Sequence, residues 1–106
     1  MDPIIIYTTC PDAGSATRIA RTLVEEGLAA CTNQLAGMRS CYRWQGRICE
    51  DEEVVLLVKT SQAQQQAVFA RIAALHPAQM PCLLVLPVAA IGAGYAAWMA
   101  EQLGDI

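Results

Sequence analysis

The sequence predicts an α+β fold of the ferredoxin-like type, β-α-β-β-α-β with an extra C-terminal helix and an antiparallel sheet, as a single domain over residues 1–106. Two observations carry this. Stretches of extended and helical hydrophobic period follow one another in that order. The second and third extended stretches also join through a glycine turn into a hairpin longer than a domain of 106 residues needs.

Each element has a local cause. Ile4 to Thr9 is β-branched and aromatic, a first strand that begins after Pro3. Pro11-Asp12 stops it, and Asp12 suits the N-cap of a helix. Ala16, Ile19, Ala20, Leu23 and Val24 then recur at helical spacing, with Arg18, Arg21 and Glu25 off that face. Gly27 ends the helix in a left-handed conformation. Ala30 to Leu35 starts a second strand, and Gly37 inside the run predicts a bulge or bend. Arg39, Cys41 and Arg43 alternate with Ser40, Tyr42 and Trp44, the period of an extended chain. Gln45-Gly46 is the turn. Arg47 to Lys59 returns from it through "EVVLLVKT", apolar enough for burial on both faces.

Ser61 and Gln64 predict a capping box that opens helix two, whose apolar face is Val68, Ile72 and Leu75 with Ala67 and Phe69 beside it. His76-Pro77 ends it, because the residue before a proline avoids helical geometry. "PCLLVLPV" is the last strand, bracketed by Pro81 and Pro87. A glycine-containing loop leads to helix three, with Tyr95, Trp98, Met99 and Leu103 on one side. This topology makes the first and third strands central and leaves the apolar fourth at an edge that needs cover.

The hairpin register has two readings. A three-residue loop at Trp44-Gln45-Gly46 sets Arg43 against Arg47 and Cys41 against Cys49. A two-residue loop at Gln45-Gly46 pairs Trp44 with Arg47, allowing a cation–π contact, and sets Cys41 against Glu50, with the thiols on opposite faces. Like charges directly opposed are unfavourable, so the second register is expected.

Composition narrows the function. Apolar residues make up 55% of the chain and, with glycine counted, about 62%, above the usual 45–50%. A small domain has little room to hide that surplus, which predicts a buried subunit interface and hence an oligomer. A net charge of −3 argues against nucleic-acid binding, which needs clustered Lys and Arg. No apolar stretch approaches a membrane span, and "MDPIIIYTT" lacks the charged n-region and cleavage site of a signal peptide. A soluble cytoplasmic protein is expected, with no nucleic-acid and no membrane partner. The five cysteines include no C-x-x-C pair, so neither a disulfide framework nor a zinc knuckle is indicated.

Candidate chemistry is sparse. His76 is the single histidine, and at a helix terminus it serves the last carbonyl groups and the helix dipole. Cys10 and Cys82 could add thiolates, which suit Cu(I), if they approach it. Glu50, Asp51, Glu52 and Glu53 offer hard oxygen ligands, but alternate residues of a strand face opposite ways, so a solvated flank paired with Arg39, Arg43 or Arg47 is the better reading. No anion-cradling Gly-rich loop is present. With one histidine, and aspartates at Asp2, Asp12, Asp51 and Asp105, no catalytic triad stands out.

"TTCPD" ending strand one, "AACTN" after helix one, "SCYRWQGRI" at the hairpin, "LLVKT" ending strand three and "HPAQMP" after helix two, with Tyr95 and Trp98, together resemble the CutA divalent-cation tolerance family over nearly the whole chain. The resemblance implies a ferredoxin-like homotrimer related in architecture to the PII signalling proteins, assembled through its long hairpins. It implies a non-enzymatic role in tolerance of copper or another divalent metal ion, with no metal required for folding. Its runner-up is a PII-like module that holds a small anionic ligand in inter-subunit clefts. His76 matches the family's His-Pro motif, and Cys10 lies near the end of strand one, so these two are the metal-ligand candidates. The chain departs from the family pattern at Ala78, Gln79 and Cys82, which replace Tyr, Glu and Glu. Some relatives carry a first-strand cysteine and paired histidines proposed to bind copper; here Thr8 and Leu75 occupy two of those places.

Overall fold

The computed structural model describes residues 1–104, and Asp105 and Ile106 lie outside the described residues. In chain order it contains β1 (Pro3–Cys10), α1 (Ala13–Glu25), β2 (Cys31–Trp44), β3 (Arg47–Ser61), α2 (Gln65–Leu75), β4 (Leu84–Pro87) and α3 (Ala93–Gln102). The four-stranded sheet runs β2-β3-β1-β4 with every pairing antiparallel. The ferredoxin-like fold is therefore present, with β1 and β3 central and β4 at the edge as expected.

One face of the sheet carries the core. Ile4, Ile6, Thr8 and Cys10 point to it from β1, opposite Thr60, Val58, Leu56 and Val54 of β3. Ala16, Ile19, Ala20 and Leu23 of α1 and Val68 and Ile72 of α2 cover it. Asp12 caps α1 as predicted, its carboxylate accepting from the Ser15 amide at 2.7 Å. Gly27 follows that helix at φ 72°, the left-handed conformation a glycine reaches without strain. Two threonines are shut into this core. The Thr60 hydroxyl donates to the Leu28 carbonyl at 2.7 Å, whereas Thr8 Oγ1 has no partner among the described residues. A buried hydroxyl without a hydrogen bond is a net cost. Thr8→Val, which keeps the shape and removes the hydroxyl, is expected to raise stability by about 1 kcal/mol. Urea unfolding checks this as a higher midpoint at unchanged slope.

The hairpin accounts for the molecule's length of 47 Å along its longest axis, against 25 and 22 Å across. β1 pairs with β3 only from Ser61 to Val54, so Arg47–Glu53 pairs with β2 alone as a two-stranded arm. The arm leaves the sheet at a bulge, where Ala36 and Gly37 together face Val54 and Gly37 has φ 79°. At its tip Gln45 and Gly46 have φ 50° and 79°, the positive values of a two-residue type I′ turn. The register is the expected one: Trp44 opposes Arg47 and Cys41 opposes Glu50.

Several expectations need correction. Ser61 makes no side-chain cap; a 3₁₀ turn over Gln62–Gln64 intervenes, Gln62 instead bonding Gln65, and α2 starts at Gln65. Val24 is exposed, because the apolar stripe of α1 is narrower than its sequence spacing indicates. β4 is confined to Leu84–Pro87, since only Ile4 to Tyr7 of β1 offer it a ladder. Met99 of α3 and Leu103 just after it are buried with Ala30, while Tyr95 and Trp98 lie exposed against each other, centroids 5.4 Å apart. The cation–π contact is Lys59 over Tyr95 at 5.5 Å rather than Arg47 over Trp44. Among the described residues the ion pairs are Arg21–Glu25 and Arg71–Glu26, so the acidic run forms none with the arginines of its own arm.

The sheet face opposite α1 and α2 is less well covered. Tyr7 lies between Leu84 and Leu57, Ile5 between Leu86 and Lys59, and Leu35 stands opposite Val55. Leu35, Leu84 and Leu86 are 57%, 53% and 43% exposed, which leaves a continuous apolar surface uncovered in the protomer.

Candidate functional site

Topology brings three distant sequence pieces to one end of the sheet. β1 ends at Cys10 beside Val54, where the arm begins. α2 ends at Leu75, and β4 starts at Leu84 opposite Tyr7. The connecting strap, residues 76–83, therefore runs past the end of β1 and alongside the arm. Between strap and arm lies a cleft of about 720 Å³. Tyr42, Arg43, Trp44 and Glu53 line it from the arm, His76 and Ala78 to Cys82 from the strap, and Thr9 from β1. The "TTC", "CYRW" and "HPAQMP" stretches thus share one surface.

Hydrogen bonds fix several of these groups. The Tyr42 hydroxyl donates to the Asp51 carboxylate, and that bond pushes its pKa up to about 12. His76 Nδ1 accepts from the Ala78 amide at 2.9 Å, and Nε2 lies 2.7 Å from the Thr9 carbonyl oxygen. An imidazole that accepts at Nδ1 carries its proton on Nε2, so the ring is neutral and donates to Thr9. Arg18 donates to the Leu75 carbonyl at 2.6 Å, satisfying part of the α2 terminus that His76 was expected to serve.

The two metal-ligand candidates come near each other in the fold, since His76 bonds to Thr9, the residue before Cys10. Both nitrogens of His76 are occupied by backbone groups. Cys10 is fully buried in the core, and burial, followed by the charges of Asp12 and Glu53, pushes its thiol up to about 11. Cys82 on the strap is also raised, by burial first and Glu53 second. Both thiols are therefore harder to ionise than a free cysteine, and a metal would have to displace their protons to bind. Among the described residues no group of three or more His, Cys, Asp and Glu side chains is gathered to hold a metal ion. Cys41 and Cys49 face opposite sides of the arm, as expected.

From sequence alone, Tyr42 and Trp44 take an architectural role, Arg43 and Glu53 a place on a solvated, charge-paired flank, and Met80 no site. The signal was available in the topology. An arm that outruns β1 and a loop that returns to β4 must lie at the same end of the sheet.

Fold and cleft together define a ferredoxin-like α+β domain with an extended hairpin. The chain matches the family described as CutA1 divalent ion tolerance protein over residues 4–102, and it belongs to that family. It is 42% identical over 100 residues to the divalent-cation tolerance protein CutA of Thermus thermophilus, covering 94% of this chain and 97% of that protein. The crystal structure of CutA from Xylella fastidiosa superposes with a TM-score of 0.94 at 41% identity, covering 97% of this chain and 99% of the other. A CutA structure from Archaeoglobus fulgidus, described as periplasmic, gives 0.93 at 31% identity over 95% and 98%. No helix among the described residues is long and apolar enough to cross a membrane.

Proposed function

We propose that this chain serves divalent-cation tolerance as a non-enzymatic homotrimer in the cytoplasm, contacting copper or another divalent ion weakly. The family match across residues 4–102 carries the reading. The uncovered apolar sheet face supports assembly, and five unpaired cysteines suit a reducing compartment. The state of His76 supplies a reason for weak binding. A metal ion reaches its Nδ1 lone pair only in competition with the Ala78 amide, and the nearby Cys10 thiol is buried in the core. His76→Ala is expected to weaken Cu(II) binding measurably while the trimer persists, as read by calorimetric titration and native mass spectrometry. Undiminished affinity in that variant removes His76 from the contact.

One observation favours a second reading, a PII-like module that holds a small anionic ligand. The cleft falls within the size range of small-molecule sites, with Tyr42 and Trp44 as aromatic walls and Arg43 as a cation. Titration with Cu(II), Cu(I), Zn(II) and a panel of nucleotides separates the two. A clear nucleotide isotherm beside silence toward every metal overturns the first reading in favour of the second.

A further inference from the structure

We infer that His76 is a positioning residue, whose imidazole pins the strap to the end of β1 and so holds one wall of the cleft. This goes beyond the proposed function, since it requires neither a metal nor an anion.

The strap belongs to no helix or strand, so no ladder places it. At its far end Leu83 packs against the core. At its near end the His76 amide donates to the Ile72 carbonyl at 2.8 Å and closes the last turn of α2. The backbone of His76 is already extended there, with φ −74° and ψ 136°, as the following proline requires. Pro77 has no N–H, so Ala78 is the first residue after His76 with an amide to offer, and that amide is the one the ring accepts.

The opposite ring nitrogen donates to Thr9, which is 67 residues away in sequence and also lines the cleft. One neutral imidazole therefore joins three segments: the end of α2, the end of β1 and the start of the strap. The task needs an acceptor on one edge of the side chain and a donor on the other, at fixed separation. Neutral histidine has both. Asparagine reproduces only the nearer acceptor, and glutamine reaches only toward the farther donor position. Gln79, Met80 and Cys82 follow directly on this anchored stretch, so their placement in the cleft wall depends on the ring.

The test is residue-resolved amide hydrogen exchange on the full chain, comparing wild type with His76→Ala, His76→Asn and His76→Gln. Ala78 is exposed, so its amide is expected to be slow in wild type only because Nδ1 accepts it. His76→Ala should accelerate that one amide by on the order of tenfold, while the β1–β3 ladder amides stay protected. His76→Asn should restore protection at Ala78, and His76→Gln should not. A general loosening of the strap would move Ala78 alike in both. Equal exchange at Ala78 in wild type and His76→Ala overturns the inference, as does restoration by glutamine equal to that by asparagine. If the alanine variant does not fold, the contrast between asparagine and glutamine decides.

Discussion

Leu56→Ala is expected to cost about 2–5 kcal/mol of stability, the range for removing a fully buried leucine from a packed core. Leu56 has no exposed surface and lies on the central strand β3, opposite Thr8 of β1 and Gln34 of β2. Its side chain enters the cluster that α1 and α2 close over. A rigid sheet with neighbours on both edges collapses poorly into a vacated site, which favours the upper part of the range. Since small domains are stable by only about 5–15 kcal/mol, the loss is a large fraction of the total. Ile48→Ala is the control, because Ile48 is 61% exposed on the arm and its truncation should stay within about 0.5 kcal/mol in the protomer. Urea unfolding of both variants at one protein concentration reads the difference, a fixed concentration being necessary where association adds to stability. A Leu56→Ala midpoint equal to that of Ile48→Ala would show that the core does not lie between this sheet face and the helices.

The central strands were legible because their apolar runs have a single physical use. "IIIYTT" and "EVVLLV" read as strands from their composition, the element order makes the first and third strands central, and β1 and β3 are the middle pair. Gly37 and Gly46 announced the bulge and the turn, since both sit at positive φ. The register followed from one argument, the repulsion between Arg43 and Arg47. What failed was local chemistry with a close competitor. Ser61 and Gln64 have the spacing of a capping box, but the chain tightens into a 3₁₀ turn there, and the Gln62 side chain bonds Gln65 instead.

The site was half legible. His76 stands out in the sequence by its match to the family's His-Pro motif, and nothing in the sequence indicates that backbone groups engage both ring nitrogens. Cys10 could be placed near the end of a strand, but the alternation of β1 turns it inward beside Ile6 and Thr8, where its proton is held. The cleft itself is a product of topology, invisible until the arm, strap and β1 are set at one end of the sheet.

Replacing Leu84 and Leu86 together by glutamate is expected to convert a trimer into monomers with the fold retained. Both side chains project from edge strand β4 onto the uncovered sheet face, beside Tyr7 and Ile5. At 53% and 43% exposure they contribute little to the protomer's own core, so far-UV circular dichroism should be unchanged. In an assembly that covers this face, each glutamate would lose its water beside Tyr7 and Ile5, and Lys59, the basic residue paired with Ile5, already has its ammonium near the Tyr95 ring. An unpaired buried charge costs several kcal/mol, and a trimer repeats each substitution in three subunits. Association energies of ordinary affinity do not survive a penalty of that size, because each 1.4 kcal/mol is about a tenfold loss. Native mass spectrometry should therefore show trimer for the wild type and monomer for the double variant. A wild-type monomer at micromolar concentration would overturn the trimer outright. A double variant that remains trimeric would leave assembly intact but move it off this face, with the hairpin arm, which outruns the four-stranded sheet, the surface to probe next.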